Sequence, residues 1–98
     1  MTQSMDHNSQ TIVADISMYP LTPEYVPAII AFIKSLNERD GLEIVTNQLS
    51  THLKGPHDIV TAAISDGMKE VMAGPDKVVF AVKYLNADLD IKSLPDLE

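Results

Sequence analysis

Residues 55–75 begin and end on the same dipeptide: GPHDIVTAAISDGMKEVMAGP. Proline can neither donate a backbone hydrogen bond nor continue a helix, so two Gly-Pro pairs fence off one element. Between them Ile59, Val60, Ala63, Ile64, Met68 and Val71 recur at helical spacing and predict an amphipathic helix. Gly67 weakens it slightly, and "AGPD" at 73–76 ends it, with Gly74 free to take the left-handed conformation. A second bounded segment, TPEYVPAIIAFIKSLNERDG, predicts another helix. Thr22 suits its N-cap, Pro23 its first position and Gly41 its stop. Val26, Ile29, Ile30, Ile33 and Leu36 are the expected buried stripe. Pro27 removes one hydrogen bond near the start, so the first residue can slip by a few positions.

Strand patterns surround these helices. TIVADISMYPL is β-branched and nearly alternating, which predicts a strand from Thr11 to Met18 or Tyr19, ended by Pro20. LEIVTNQ and LSTHLKG read as two further strands with a turn near Asn47 to Ser50, and KVVFAVKYL as a fourth. The order β-α-β-β-α-β predicts an α+β, ferredoxin-like sandwich: a four-stranded antiparallel sheet with two helices on one face. The expected domain covers residues 10–90, with tails at 1–9 and 91–98.

Helices on one face leave the other face to be explained. In the first strand Ile12, Ala14, Ile16 and Met18 form one set, and Val13, Asp15, Ser17 and Tyr19 the other. In the last strand Val78, Phe80, Val82 and Tyr84 oppose Val79, Ala81 and Lys83. The more apolar sets belong under the helices. The remainder is too apolar for a solvated face and too polar for a core, which predicts a homo-oligomer burying it. Asp15 and Lys83 are expected to pair across this face.

Composition removes several function classes. A chain of 98 residues is one domain by default. Fourteen acidic against seven basic residues give a net charge of −7, which repels phosphate backbones and argues against nucleic-acid binding. No cysteine is present, so disulfides and thiolate chemistry are excluded. No apolar run approaches membrane-spanning length and the N-terminus lacks a signal-peptide pattern, so a cytoplasmic location without membrane association is expected. The only arginine, Arg39, lies between Glu38 and Asp40 with no glycine-rich phosphate cradle. His52 and His57 among scattered carboxylates do not form a metal-ligand pattern. Neither catalysis, a metal nor a cofactor is expected.

Two stretches carry a resemblance: ISMYPLT at 16–22 and TNQLSTHLKG at 46–55. Together, in this order, and with VVFAVK at 78–83 near the end, they resemble the YkoF-like thiamin-binding proteins, over roughly residues 12–86. The resemblance implies a single-repeat member that binds thiamin or its hydroxymethylpyrimidine half in thiamin transport or salvage. It also implies assembly into homodimers or homotetramers. The alternative is an oligomeric interaction or regulatory module with no small-molecule ligand.

The residues at these motifs suit such a ligand. Hydroxyls and amides meet both the acceptors and the donor of an aminopyrimidine without burying a charge. Ser17, Tyr19, Asn47, Ser50 and Thr51 are the candidate binding residues, with Tyr19 able to stack on the ring and Asn47 able to read its edge. Each also has a structural explanation: strand hydroxyls for Ser17, Ser50 and Thr51, an interface role for Tyr19, turn chemistry for Asn47. Strict alternation puts Ser50 and Thr51 on opposite faces, so sharing one pocket requires a bulge or a pocket that wraps an edge.

Overall fold

The computed structural model describes residues 10–94. Its elements are β1 (Thr11–Pro20), α1 (Tyr25–Asn37), β2 (Glu43–Thr46), β3 (Thr51–Pro56), α2 (His57–Met72) and β4 (Val78–Leu85). The expected tail 1–9, and residues 95–98 of the expected tail 91–98, lie outside the described residues.

The sheet order is β2-β3-β1-β4 with every neighbouring pair antiparallel. This is the ferredoxin-like sandwich that the element order predicts. Alternation assigns the faces as expected. Ile12, Ala14 and Ile16 of β1 and Leu53 of β3 form the core with Phe32 and Leu36 of α1 and Val60, Ala63 and Ile64 of α2. Met18, Ile44, Phe80 and Val82 pack at its margin. Asp15, Ser17, Tyr19, His52 and Lys54 therefore lie on the helix-free face.

The first helix departs from its expected limits. It begins at Tyr25, with Glu24 rather than Thr22 at the cap. A start at Pro23 would put Pro27 beyond the first turn, where its missing N–H breaks a hydrogen bond. From Tyr25, Pro27 falls among the leading N–H groups that have no intrahelical partner. The helix ends at Asn37, before Gly41. Gly41 instead serves the turn into β2, at φ 85°, and its carbonyl passes so close to Gly55 that a Cβ there would stand 2.7 Å away. Gly74 does not use the left-handed conformation; α2 ends through Ala73 in a right-handed one.

The buried stripe of α1 is also rotated from the expected phase. Leu36 is buried as expected, but it is joined by Phe32, outside the expected stripe, whereas Val26 is 51% and Ile30 47% exposed. Apolar residues cover so much of this helix that periodicity alone does not fix its phase. The facing helix does. A Cβ at Gly67 would lie 2.9 Å from Phe32 Cε1, so the bare glycine is the space that admits the ring. Phe32 also meets Phe80 with ring centroids 5.1 Å apart, tilted by 56°.

After β4 the chain returns across the helix-free face. Asp88 Oδ1 pairs with Lys54 Nζ at 2.6 Å. That hydrogen bond raises the Lys54 pKa above the ordinary lysine value. The Ser93 hydroxyl and the Lys92 amide on Asp90 lower its pKa and tie the following turn. Val13, next to Lys54 in the ladder, is only 9% exposed, whereas Tyr19 is 53% and its β4 partner Val79 50% exposed. One half of the helix-free face is covered by its own chain and the other is bare.

Gly67→Ala tests the packing that sets the helix phase. Alanine gains roughly 1 kcal/mol of helix propensity, but overpacking a filled core costs typically about 1–3 kcal/mol. Thermal denaturation should show a melting temperature lower by roughly 5 °C. A variant as stable as the parent would mean that the Phe32 ring has room to yield.

Candidate functional site

β1 spans ten residues and β3 six. Their ladder runs from Thr11↔Pro56 to Ile16↔Thr51 and stops. Ser17 to Pro20 continue alongside β4 alone. A cavity of about 670 Å³ opens where β3 no longer covers β1. Its floor is β1 from Asp15 to Pro20, one wall is Tyr25, Ile29 and Ile33 of α1 with Phe32 behind, and the other is the hairpin turn with its flanks, Thr46 to Thr51.

Asn47 builds that turn. Its Oδ1 accepts the backbone N–H of Leu49 at 2.8 Å and of Ser50 at 3.0 Å, and its own N–H donates to the Ser50 carbonyl at 3.0 Å. This is the local bonding that makes asparagine a turn residue. The oxygen of Asn47 is therefore occupied, and among the described residues its Nδ2 has no partner. Ser50 precedes β3, but its hydroxyl meets His52 whereas that of Thr51 meets Thr46, so the two lie on opposite faces as alternation expects. The cavity wraps the free edge of β1 and is lined from both faces of the sheet.

All five candidate residues line this one cavity: Ser17, Tyr19, Asn47, Ser50 and Thr51. Their availability differs. Ser17 Oγ lies 3.5 Å from the Leu49 carbonyl, a weak contact that leaves the hydroxyl free to bond elsewhere. Thr51 is 5% exposed, and its Oγ1 lies 3.2 Å from that of Thr46. Two hydroxyls share one bond there, so one proton remains for another acceptor. Tyr25, Ile29 and Ile33 complete the lining. Tyr25 was not a sequence candidate, because nothing in its helical position signals that it overlooks β1.

Ser50, His52 and Asp15 also converge. Ser50 Oγ lies 3.2 Å from His52 Nε2, and Asp15 Oδ1 lies 3.5 Å from the same nitrogen. A proton relay needs the two ring nitrogens to serve different partners: one accepts the serine proton while the other donates to the carboxylate. Here one nitrogen faces both, so a bare Nε2 able to accept from Ser50 would point a lone pair at a carboxylate. In this geometry the cluster is a polar anchor in which one ring nitrogen serves both neighbours. It also corrects the expected Asp15–Lys83 pair. Lys83 stands opposite Asp15 in the ladder, but among the described residues Asp15 makes no ion pair with it and its carboxylate lies instead 3.5 Å from His52 on the other side. The shielded Oδ1 of Asp15 makes no hydrogen bond among the described residues.

No helix among the described residues is long and apolar enough to cross a membrane. No protein-family model matches the sequence, and no curated protein matches it. Solved structures do resemble the fold. A hypothetical protein of Methanocaldococcus jannascii aligns over 87% of this chain and 89% of its own, with a TM-score of 0.71 and 23% identity. A protein of Thermotoga maritima, provisionally assigned to thiamine biosynthesis or salvage, aligns over 84% and 91%, with a TM-score of 0.72 and 10% identity. A domain of unknown function of Bacillus cereus covers 86% of each chain at a TM-score of 0.65 and 15% identity. At these identities the likeness is one of fold.

Asn47→Asp and Asn47→Ala separate the turn from the lining. Aspartate keeps the accepting oxygen and should hold stability within about 0.5 kcal/mol. Alanine leaves two amides without their acceptor and should cost about 1–2 kcal/mol in urea denaturation. Equal loss in both variants would show that the oxygen does not support the turn.

Proposed function

We propose that this chain binds thiamin or its hydroxymethylpyrimidine half, without chemistry of its own, in the cavity between β1, α1 and the β2–β3 turn. One observation carries the reading: five residues named from the two separate stretches that carry the resemblance line the same cavity. Its volume lies in the range of small-molecule sites. Apolar walls with a few hydroxyls and an amide suit a flat, neutral aminopyrimidine, and Tyr19 and Tyr25 supply aromatic faces. Fold likeness to the Thermotoga protein provisionally assigned to thiamine biosynthesis or salvage supports the same reading. The cluster around His52 gives no reason to add a catalytic step.

Calorimetry with thiamin, hydroxymethylpyrimidine and thiamin diphosphate tests it. Micromolar binding of at least one is expected, weakened roughly tenfold by Ser17→Ala or Ser50→Ala, the loss of one hydrogen bond. Thr51→Ala should weaken binding too, with some loss of stability because the side chain is buried. Silence with all three ligands would overturn the reading.

A second reading has its own observation. Tyr19 and Val79 are about half exposed on the helix-free face. Such a surface suits a protein interface. In this reading the chain is an oligomeric interaction module with no small-molecule ligand. Both readings include self-association through the bare half of this face, as a homodimer or homotetramer. Sedimentation at micromolar concentration should therefore show more than a monomer, and Val79→Lys should shift the protein toward one. A parent protein that stays monomeric would remove self-association from both.

A further inference from the structure

The main chain of β1 contributes to the cavity in a way that no side chain reveals. In an antiparallel ladder, successive residues direct their N–H and C=O to opposite neighbours. Three bonds outside the strand ends fix which residues face which way. Leu21 N–H donates to the Lys77 carbonyl, continuing the β1–β4 register with an odd-numbered β1 position. His57 N–H donates to the Gln10 carbonyl, continuing the β1–β3 register with an even-numbered one. Asn47 N–H donates to the Ser50 carbonyl, which assigns even-numbered β3 positions to β2 and leaves the odd ones for β1. Even-numbered residues of β1 therefore bond toward β3. Ile12, Ala14 and Ile16 have their partners there in Gly55, Leu53 and Thr51.

Met18 is next, and among the described residues its main chain has no partner. Continuing the register would place Leu49 opposite it, but the ladder ends at Ile16↔Thr51. The N–H of Leu49 is instead held by Asn47 Oδ1, and its carbonyl receives the Ser17 hydroxyl. The N–H and C=O of Met18 thus point to the free edge, and Met18 lines the cavity. Beyond it Pro20 has a carbonyl on the same edge and no N–H. One donor and its neighbouring acceptors are too short a row for an added peptide strand. They match one edge of a small heterocycle.

We propose that the unpaired N–H and C=O of Met18 are a recognition element of the cavity. Together they read an amidine-like edge, a ring nitrogen that accepts beside an amino group that donates. The aminopyrimidine edge has this pattern and takes the place that the main chain of Leu49 would fill if the ladder continued. The inference rests on the hydroxymethylpyrimidine reading above and adds the atoms that carry selectivity. A pyrimidine with hydrogen in place of the amino group keeps the acceptor but loses the bond to the Met18 carbonyl.

The test uses the full chain and hydroxymethylpyrimidine as the probe. Met18→Pro removes the N–H that faces the cavity, together with a side chain at the margin of the core. Proline is tolerated where the N–H faces a free edge, so the fold should persist. Met18→Leu is the control that keeps the main chain. Binding by Met18→Leu close to the parent and at least tenfold weaker binding by Met18→Pro are expected. The analogue without the amino group should bind at least tenfold more weakly to the parent. Amide hydrogen exchange gives a readout even where the proline variant fails to fold. Met18 should exchange rapidly in the free protein, unlike Ala14 and Ile16, and become protected when the probe saturates. Folded Met18→Pro protein that binds like the parent, or a Met18 amide that exchanges equally fast with and without bound probe, overturns the inference while the function stands. No binding by the parent overturns both.

Discussion

The mismatch in length between β1 and β3 is the constraint on which the site depends. A ten-residue strand beside a six-residue one must leave part of its edge uncovered. Here the side-chain oxygen of Asn47 gathers the amides of Leu49 and Ser50, which closes the turn before the hairpin can reach Met18. Uncovered main chain would ordinarily be a liability, since it invites pairing with another strand. In this molecule the turn and α1 wall it in, and the liability becomes a cavity.

The fold was legible because its signals agree at several levels. Proline and glycine mark the element ends, alternation separates the faces of β1 and β4, and the element order leaves one economical topology. The phase of α1 was not legible. Val26, Ile30 and Ile33 offer as good a stripe on paper as Ala28, Phe32 and Leu36. The choice rests on Gly67, more than thirty positions away, whose missing side chain makes room for a phenyl ring. Gly67 reads locally as a slight weakness in α2; in the folded chain it is a contact surface. The start of α1 follows from a different compromise, in which Pro27 is accommodated by moving the first turn rather than by breaking a hydrogen bond.

The sequence named five side chains that line the cavity, but not how they meet. Asn47, Ser50 and Thr51 stand out in a stretch that places neutral polar groups where charges are usual, and Ser17 and Tyr19 through the resemblance at 16–22. Alternation put Ser50 and Thr51 on opposite faces, and the cavity brings them together by wrapping the edge of β1. The neighbour of Asp15 was missed because a strand has two flanks, and the side chain that comes close stands on β3 rather than β4. Met18 gave no signal at all. Every residue has an N–H and a C=O, and only the register shows which pair is left over.

Tyr19 belongs to two surfaces at once. It lines the cavity, and it stands on the bare half of the helix-free face opposite Val79. Any occupant that restrains this ring on one side changes the free energy of contact on the other. Thermodynamic reciprocity then requires the influence to run equally in both directions. Filling the cavity and joining two subunits would not be separate events for this protein: each would set the midpoint of the other, through a single phenol ring.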